Sequence, residues 1–116
     1  MIREESVKND FEYWYTTDKY WLPLDSDNFD RGFYDCRLSM QFGVYQEFFI
    51  ESGIVIDILP VMNHNQKGYT EIKIWMVCIT ILNQRHVERW SEYKSLNEAR
   101  KGALKVSSKL YKDYEL

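Results

Sequence analysis

Cysteine, histidine, proline and glycine are all scarce in this chain, and each scarcity removes a class of explanation. Two cysteines, Cys36 and Cys78, cannot make a disulfide framework. His64 and His86 stand alone, and neither cysteine has a CxxC neighbour, so no metal is expected. There is no glycine-rich phosphate loop, no GxSxG elbow and no dinucleotide fingerprint, so no cofactor is expected and no catalytic residue is assigned. An enzyme would need a cleft that gathers His64 or His86 with a cysteine or a carboxylate. Long hydrophobic runs are missing too. The longest, Ile74 to Leu82, is interrupted by Thr80 and is far too short to span a bilayer, so no membrane partner is expected. Met1 to Ser6 is charged and no apolar segment follows, unlike a signal peptide. Free thiols in a reducing cytoplasm are the expectation that follows.

What the chain does contain is apolar, aromatic and charged material in globular proportion. It has 116 residues, 45% of them hydrophobic and 28% charged, the composition of one small domain over residues 1–116 rather than of a disordered segment. Aromatics reach 16%, which suits either a stiff core or a partner surface. The net charge of −3 is unevenly placed. Residues 1–60 hold five Lys/Arg against twelve Asp/Glu, a balance of −7, and residues 61–116 hold ten against six, a balance of +4. Such asymmetry marks an electrostatic partner surface or neutralises itself when the halves pack together.

The order of elements can be read from periodicity and punctuation. Val7, Phe11, Trp14 and Tyr15 have helical spacing within residues 4–20, with Ser6 as a cap and Thr16-Thr17 weakening the end. Trp21 to Leu24 reads as extended, because Pro23 disfavours the α region for Leu22. Asp25 to Gly32 is a polar loop. It starts like a calcium loop, but Phe29, Asp30 and Cys36 occupy its fifth, sixth and twelfth positions, so a solvated loop is expected. Phe33 to Leu38 is a short extended piece. Ser39 then caps a second helix to about Ser52, with Gly53 at its C′ position and a close packing contact expected at Gly43.

Three strands follow. Ile54 to Leu59 puts Ile54, Ile56 and Ile58 on one face, and Pro60 ends it or places it at a sheet edge. Asn63 to Gly68 is a turn, and Tyr69 to Leu82 is a long central strand. In that strand Ile72, Ile74, Met76 and Cys78 form a face apolar throughout. The opposite face starts polar, with Glu71 and Lys73, and becomes apolar through Trp75, Val77, Ile79 and Ile81. One face is core and the second is partly covered. His86 to Tyr93 returns as the third strand. A capping box at Ser95 and Glu98 then opens the last helix, whose stripe is Leu96, Ala99, Ala103, Val106 and Leu110. The expected fold is α+β, a three-stranded antiparallel meander packed by helices in the order α-loop-α-β-β-β-α.

From Ser39 onward this order resembles small bacterial proteins of prophages and other mobile elements, proteins of unknown function. The resemblance is carried by Leu38-Ser39-Met40-Gln41 through Tyr45 to Glu51, by Gly53 to Ile58, by Ile74-Trp75-Met76-Val77, and by Tyr93 through Leu104. It implies a helix–three-strand–helix core over residues 39–116 and carries no activity over to this chain. Residues 1–38 do not match the pattern, and Arg100-Lys101-Gly102 replaces a more acidic stretch.

Two functional expectations come from the residues themselves. The first is a non-catalytic protein–protein interaction module, with a protein partner or self-association through Trp14, Tyr15, Tyr20, Trp21, Trp75 and Trp90. Exposed sheet edges and a partly apolar second face would serve self-association. Asp18, Asp25, Asp27, Asp30 and Asp35, interleaved with aromatics, also suit docking on a basic groove, as a mimic of nucleic acid would dock. The alternative is a regulator bound to nucleic acid through Lys101, Lys105, Lys109 and Lys112, one stripe on the last helix, with Arg100 beside it.

Overall fold

Residues 7–19, 33–34, 36–85 and 87–116 are described by the structure, a computed structural model. Helix α1 (Lys8–Tyr13) runs into a π-helical turn (Trp14–Lys19), and α2 spans Leu38–Glu51. Strands β1 (Ile54–His64), β2 (Thr70–Ile81) and β3 (Glu88–Tyr93) form one antiparallel sheet of order β1-β2-β3, and α3 (Leu96–Asp113) closes the chain. The fold is α+β.

Helix α1 is shorter than residues 4–20. The Thr16 hydroxyl donates to the Glu12 carbonyl at 2.8 Å, and the Thr17 hydroxyl donates to the Tyr13 carbonyl. Side chains that take i−4 carbonyls compete with the regular ladder, and the π turn falls where they do so. The Ser6 cap and the extended piece at Trp21–Leu24 lie outside the described residues.

Phe33 and Tyr34 form a turn, not an extended segment, with Cys36 N–H donating to the Phe33 carbonyl at 3.1 Å. Ser39 is not the cap of α2. The N-cap is Arg37, in extended conformation and with no side-chain cap bond. Buried Gln41 secures the approach instead, its amide donating to the carbonyls of Cys36 at 2.6 Å and Tyr34 at 3.2 Å. At the other end Gly53 has φ +94°, the left-handed stop the sequence predicts, and its carbonyl accepts from Leu82 N–H at 2.7 Å. Among the described residues nothing makes the close contact expected at Gly43, where a Cβ would meet open space.

An aromatic core joins α1 to α2. Phe11 stacks on Tyr45 with centroids 4.0 Å apart and meets Phe48 edge-on at 5.4 Å, while Trp14 meets Phe48 at 5.5 Å. Full burial of such rings stabilises by about 1.5–3 kcal/mol each, and favourable ring geometry adds about 0.5–1.5 kcal/mol per pair.

Pro60 does not end β1. The strand runs on to His64, with Pro60 opposite Trp75, because β1 lies at the sheet edge, where a missing N–H breaks no ladder bond. Just beyond it the register slips. Val61 pairs with Ile74 and Met62 with Ile72, so Lys73 is an extra residue bulged out of β2. Paired residues share a face, and Val61 and Met62 lie on opposite faces, so Ile72 and Ile74 do too. The expected continuous face from Ile72 to Cys78 is therefore broken at Lys73. The helices cover the other side, where Ile54, Ile56, Val77, Ile79 and Ile81 are buried.

Helix α3 begins with the N-cap half of the expected capping box, Ser95 Oγ accepting from Glu98 N–H at 3.1 Å, while the reciprocal bond from Ser95 N–H to the Glu98 carboxylate does not form. Its buried side mixes small residues, Ala99, Ala103, Ser107 and Ser108, with Leu104 and Leu110, and the small ones let the helix lie close to its neighbours. At Gly102 a Cβ would overlap the ring end of Tyr93.

Candidate functional site

The sheet has one face packed by helices and one face on which no described helix lies. Alternation from the paired residues places Val55, Asp57, Leu59 and Val61 of β1 on the open face. Beside them lie Ile74, Met76, Cys78 and Thr80 of β2 and Glu88, Trp90 and Glu92 of β3. Two same-face contacts support that placement: Cys78 Sγ is 3.8 Å from Thr80 Oγ1, and Trp90 Nε1 donates to Glu88 Oε2 at 3.3 Å. The centre is apolar. Trp90 sits across from Cys78 and is 58% exposed, while Leu59, across from Met76, is 54% exposed. Leu59 on one outer strand and Trp90 on the other, with half-buried Ile74 and Met76 between them on β2, make a contiguous apolar patch of the kind that marks a binding surface.

Among the residues that the strand register places on the open face, the charges have one sign. Asp57, Glu88 and Glu92 are exposed on the open face. Of the two Lys/Arg side chains in the strands, Arg89 belongs to the helix-side face and Lys73 is the bulge residue.

The expected aromatic anchors disperse in three dimensions. Trp14 is a core residue, 9% exposed, and its indole N–H donates to Glu51 Oε2 at 2.9 Å, so it is no surface anchor. The reason is its helical spacing from Val7 and Phe11, which turns it onto the same buried stripe. Tyr15 is half-buried against Phe33, with centroids 5.3 Å apart. Trp75 is half-buried on the helix-side face between Pro60 and Tyr93. Tyr20 and Trp21 lie outside the described residues, as do Asp25, Asp27, Asp30 and Asp35. Trp90 alone of the described candidates is largely exposed.

Lys101, Lys105, Lys109 and Lys112 are all exposed along α3. Arg100 is not with them. Its guanidinium sits 6.0 Å from the Phe42 ring centroid and donates to Asn97 Oδ1 at 3.5 Å. It also borders a shallow cleft of about 380 Å³ with Phe42, Gly43, Gln46 and Ile58.

His64 contacts Thr70 near the β1–β2 turn, with Nδ1 3.2 Å from the hydroxyl, and His86 lies outside the described residues. Cys78 is buried and Cys36 half-buried. Among the described residues there is no group of three His, Cys, Asp or Glu able to hold a metal ion. Among them, too, no helix is long and apolar enough to cross a membrane.

Leu59, Val61, Ile74 and Met76 went unrecognised as surface residues, since an apolar alternation reads as core. The available signal was the matching run Trp75, Val77, Ile79, Ile81, which has the same parity as Ile54, Ile56 and Ile58 once the strands pair. Comparison with known proteins gives no match: no family model fits the chain, and no curated protein or solved structure is similar to it.

Proposed function

We propose that this chain is a non-catalytic protein–protein interaction module whose working surface is the open face of the sheet. The observation that carries this reading is the exposed apolar centre at Leu59 and Trp90 on a face with no described helix over it. Trp combines a large apolar area with few rotatable bonds, which is why it anchors protein interfaces out of proportion to its abundance. A mobile-element origin and a cytoplasmic location belong to the same reading and rest on sequence pattern alone. The test is Trp90→Ala in the full chain. The variant should keep its far-UV circular dichroism and lose the association, with a partner or with itself, that the parent chain shows by affinity capture and sedimentation. Identical behaviour of the two chains in both assays would overturn the proposal.

The alternative is a nucleic-acid-associated regulator, favoured by the four exposed lysines in line on α3. Four phosphate contacts would make log K fall by roughly 3 to 4 per decade of salt. A mobility-shift titration separates the readings: a slope of that size supports the lysine stripe, and silence at low salt removes it.

A further inference from the structure

We propose that the open sheet face takes one amphipathic helix with basic flanks, supplied by a different protein. This rests on the interaction-module reading and names the partner's chemistry. Three observations lead there.

The first is width. The axes of three strands at about 4.8 Å spacing span about 10 Å, close to the diameter of one α-helix with its side chains. On the opposite face α3 already packs against all three strands, so the sheet accepts a helix across this width. A helix on the open side would complete a helix–sheet–helix sandwich.

The second is chemistry. Ile74 and Met76 run along the central strand β2 as an apolar strip, widened by Leu59 on β1 and Trp90 on β3, and this suits the i, i+3, i+4, i+7 stripe of a helix lying along the strands. The third is charge. Asp57 on β1 and Glu88 and Glu92 on β3 flank the strip on both sides, so the polar margins of a bound helix meet carboxylates along both edges. Lysine and arginine at those margins are attracted, whereas glutamate and aspartate are repelled. The same charges disfavour a second copy of this chain packed face to face, because each copy would bring its own Asp57, Glu88 and Glu92 to the contact.

Two synthetic 16-residue helical peptides sharing one leucine stripe, one with lysine and one with glutamate at the polar positions, provide the test. Binding of each to the full chain is measured by fluorescence anisotropy, alongside sedimentation of the chain alone. The lysine peptide should bind at least tenfold more tightly than the glutamate peptide. Trp90→Ala should weaken lysine-peptide binding at least tenfold, and Asp57→Asn combined with Glu92→Gln should narrow the preference without changing Tm. Equal binding of both peptides, or lysine-peptide binding indifferent to Trp90→Ala, overturns the basic-helix inference. Concentration-dependent dimers that Trp90→Ala abolishes, with no peptide bound, make the occupant a second copy; that outcome overturns the inference and leaves the interaction module standing. Absence of both peptide binding and self-association defeats the inference, and with partner capture also unaffected by Trp90→Ala, the interaction module falls too.

Discussion

Two helical glycines that look alike in sequence have opposite surroundings, and substitution at them should have opposite signs. Gly43 lies within α2 facing open space, so Gly43→Ala removes a helix-propensity cost and meets no clash. It should stabilise by about 1 kcal/mol, read as a shift of the urea midpoint with unchanged slope. Gly102 lies within α3 under Tyr93. There the same propensity gain is outweighed by overpacking, which costs typically about 1–3 kcal/mol, so Gly102→Ala should destabilise. In a Tyr93→Ala background the sign should reverse, and a double-mutant cycle without coupling would contradict the packing account. Nothing in local sequence distinguishes the two glycines, since the difference is made by a tyrosine on another element. Ser107 and Ser108 show the same dependence on surroundings. Their hydroxyls are buried without partners among the described residues, a cost tolerated where small side chains let α3 approach.

At the scale of elements, boundaries written in local chemistry were legible and those set by packing were not. Ser95 announces α3 because its side-chain oxygen can satisfy one backbone donor of the first turn, and it does so. Ser95→Ala should therefore cost about 1 kcal/mol in thermal or urea denaturation, whereas Ser39→Ala should cost less than half as much, since Ser39 caps nothing. A comparable loss at both serines would contradict this assignment. Gly53 announces the end of α2 through its need for positive φ. Pro60 left two outcomes open, and strand order decided between them by making β1 an edge. Gln46 reinforces that edge, its amide donating to the Ile56 carbonyl at 2.8 Å. The bulge at Lys73 was invisible for a different reason. It is a mismatch between two strands, and each strand alone keeps a regular alternation.

At the scale of the whole molecule, distant parts of the chain are tied by a polar contact that sets a pH limit. The Tyr111 hydroxyl on α3 donates to Asp10 Oδ2 on α1 at 2.8 Å across 101 residues of sequence. Burial pushes the Tyr111 hydroxyl up from 10.0 to about 12, helped by that hydrogen bond and by the Asp10 charge. The folded state thus holds this proton more tightly than the unfolded chain. Its contribution to stability is complete below pH 10 and is lost as the pH rises towards about 12. The Tm advantage of the parent chain over Tyr111→Phe should accordingly be constant up to about pH 9.5 and shrink through pH 10–12. A gap independent of pH in that window would show that the hydroxyl titrates as if unfolded.

The sequence by itself determined the element order, the α+β class, the cap at Ser95, the stop at Gly53 and the lysine line along α3. Each of these depends on residues within a turn or two of one another, where periodicity and backbone preference act. Tertiary structure alone decided which side of the sheet is covered. Both sides of β2 are apolar enough to be core, and the choice fell to the alignment of Trp75, Val77, Ile79 and Ile81 with the isoleucines of β1. It also took Trp14 into the core and left Trp90 outside, although each indole N–H donates to a glutamate. A side chain's burial depends on what packs over it from elsewhere in the chain, and that information is not local.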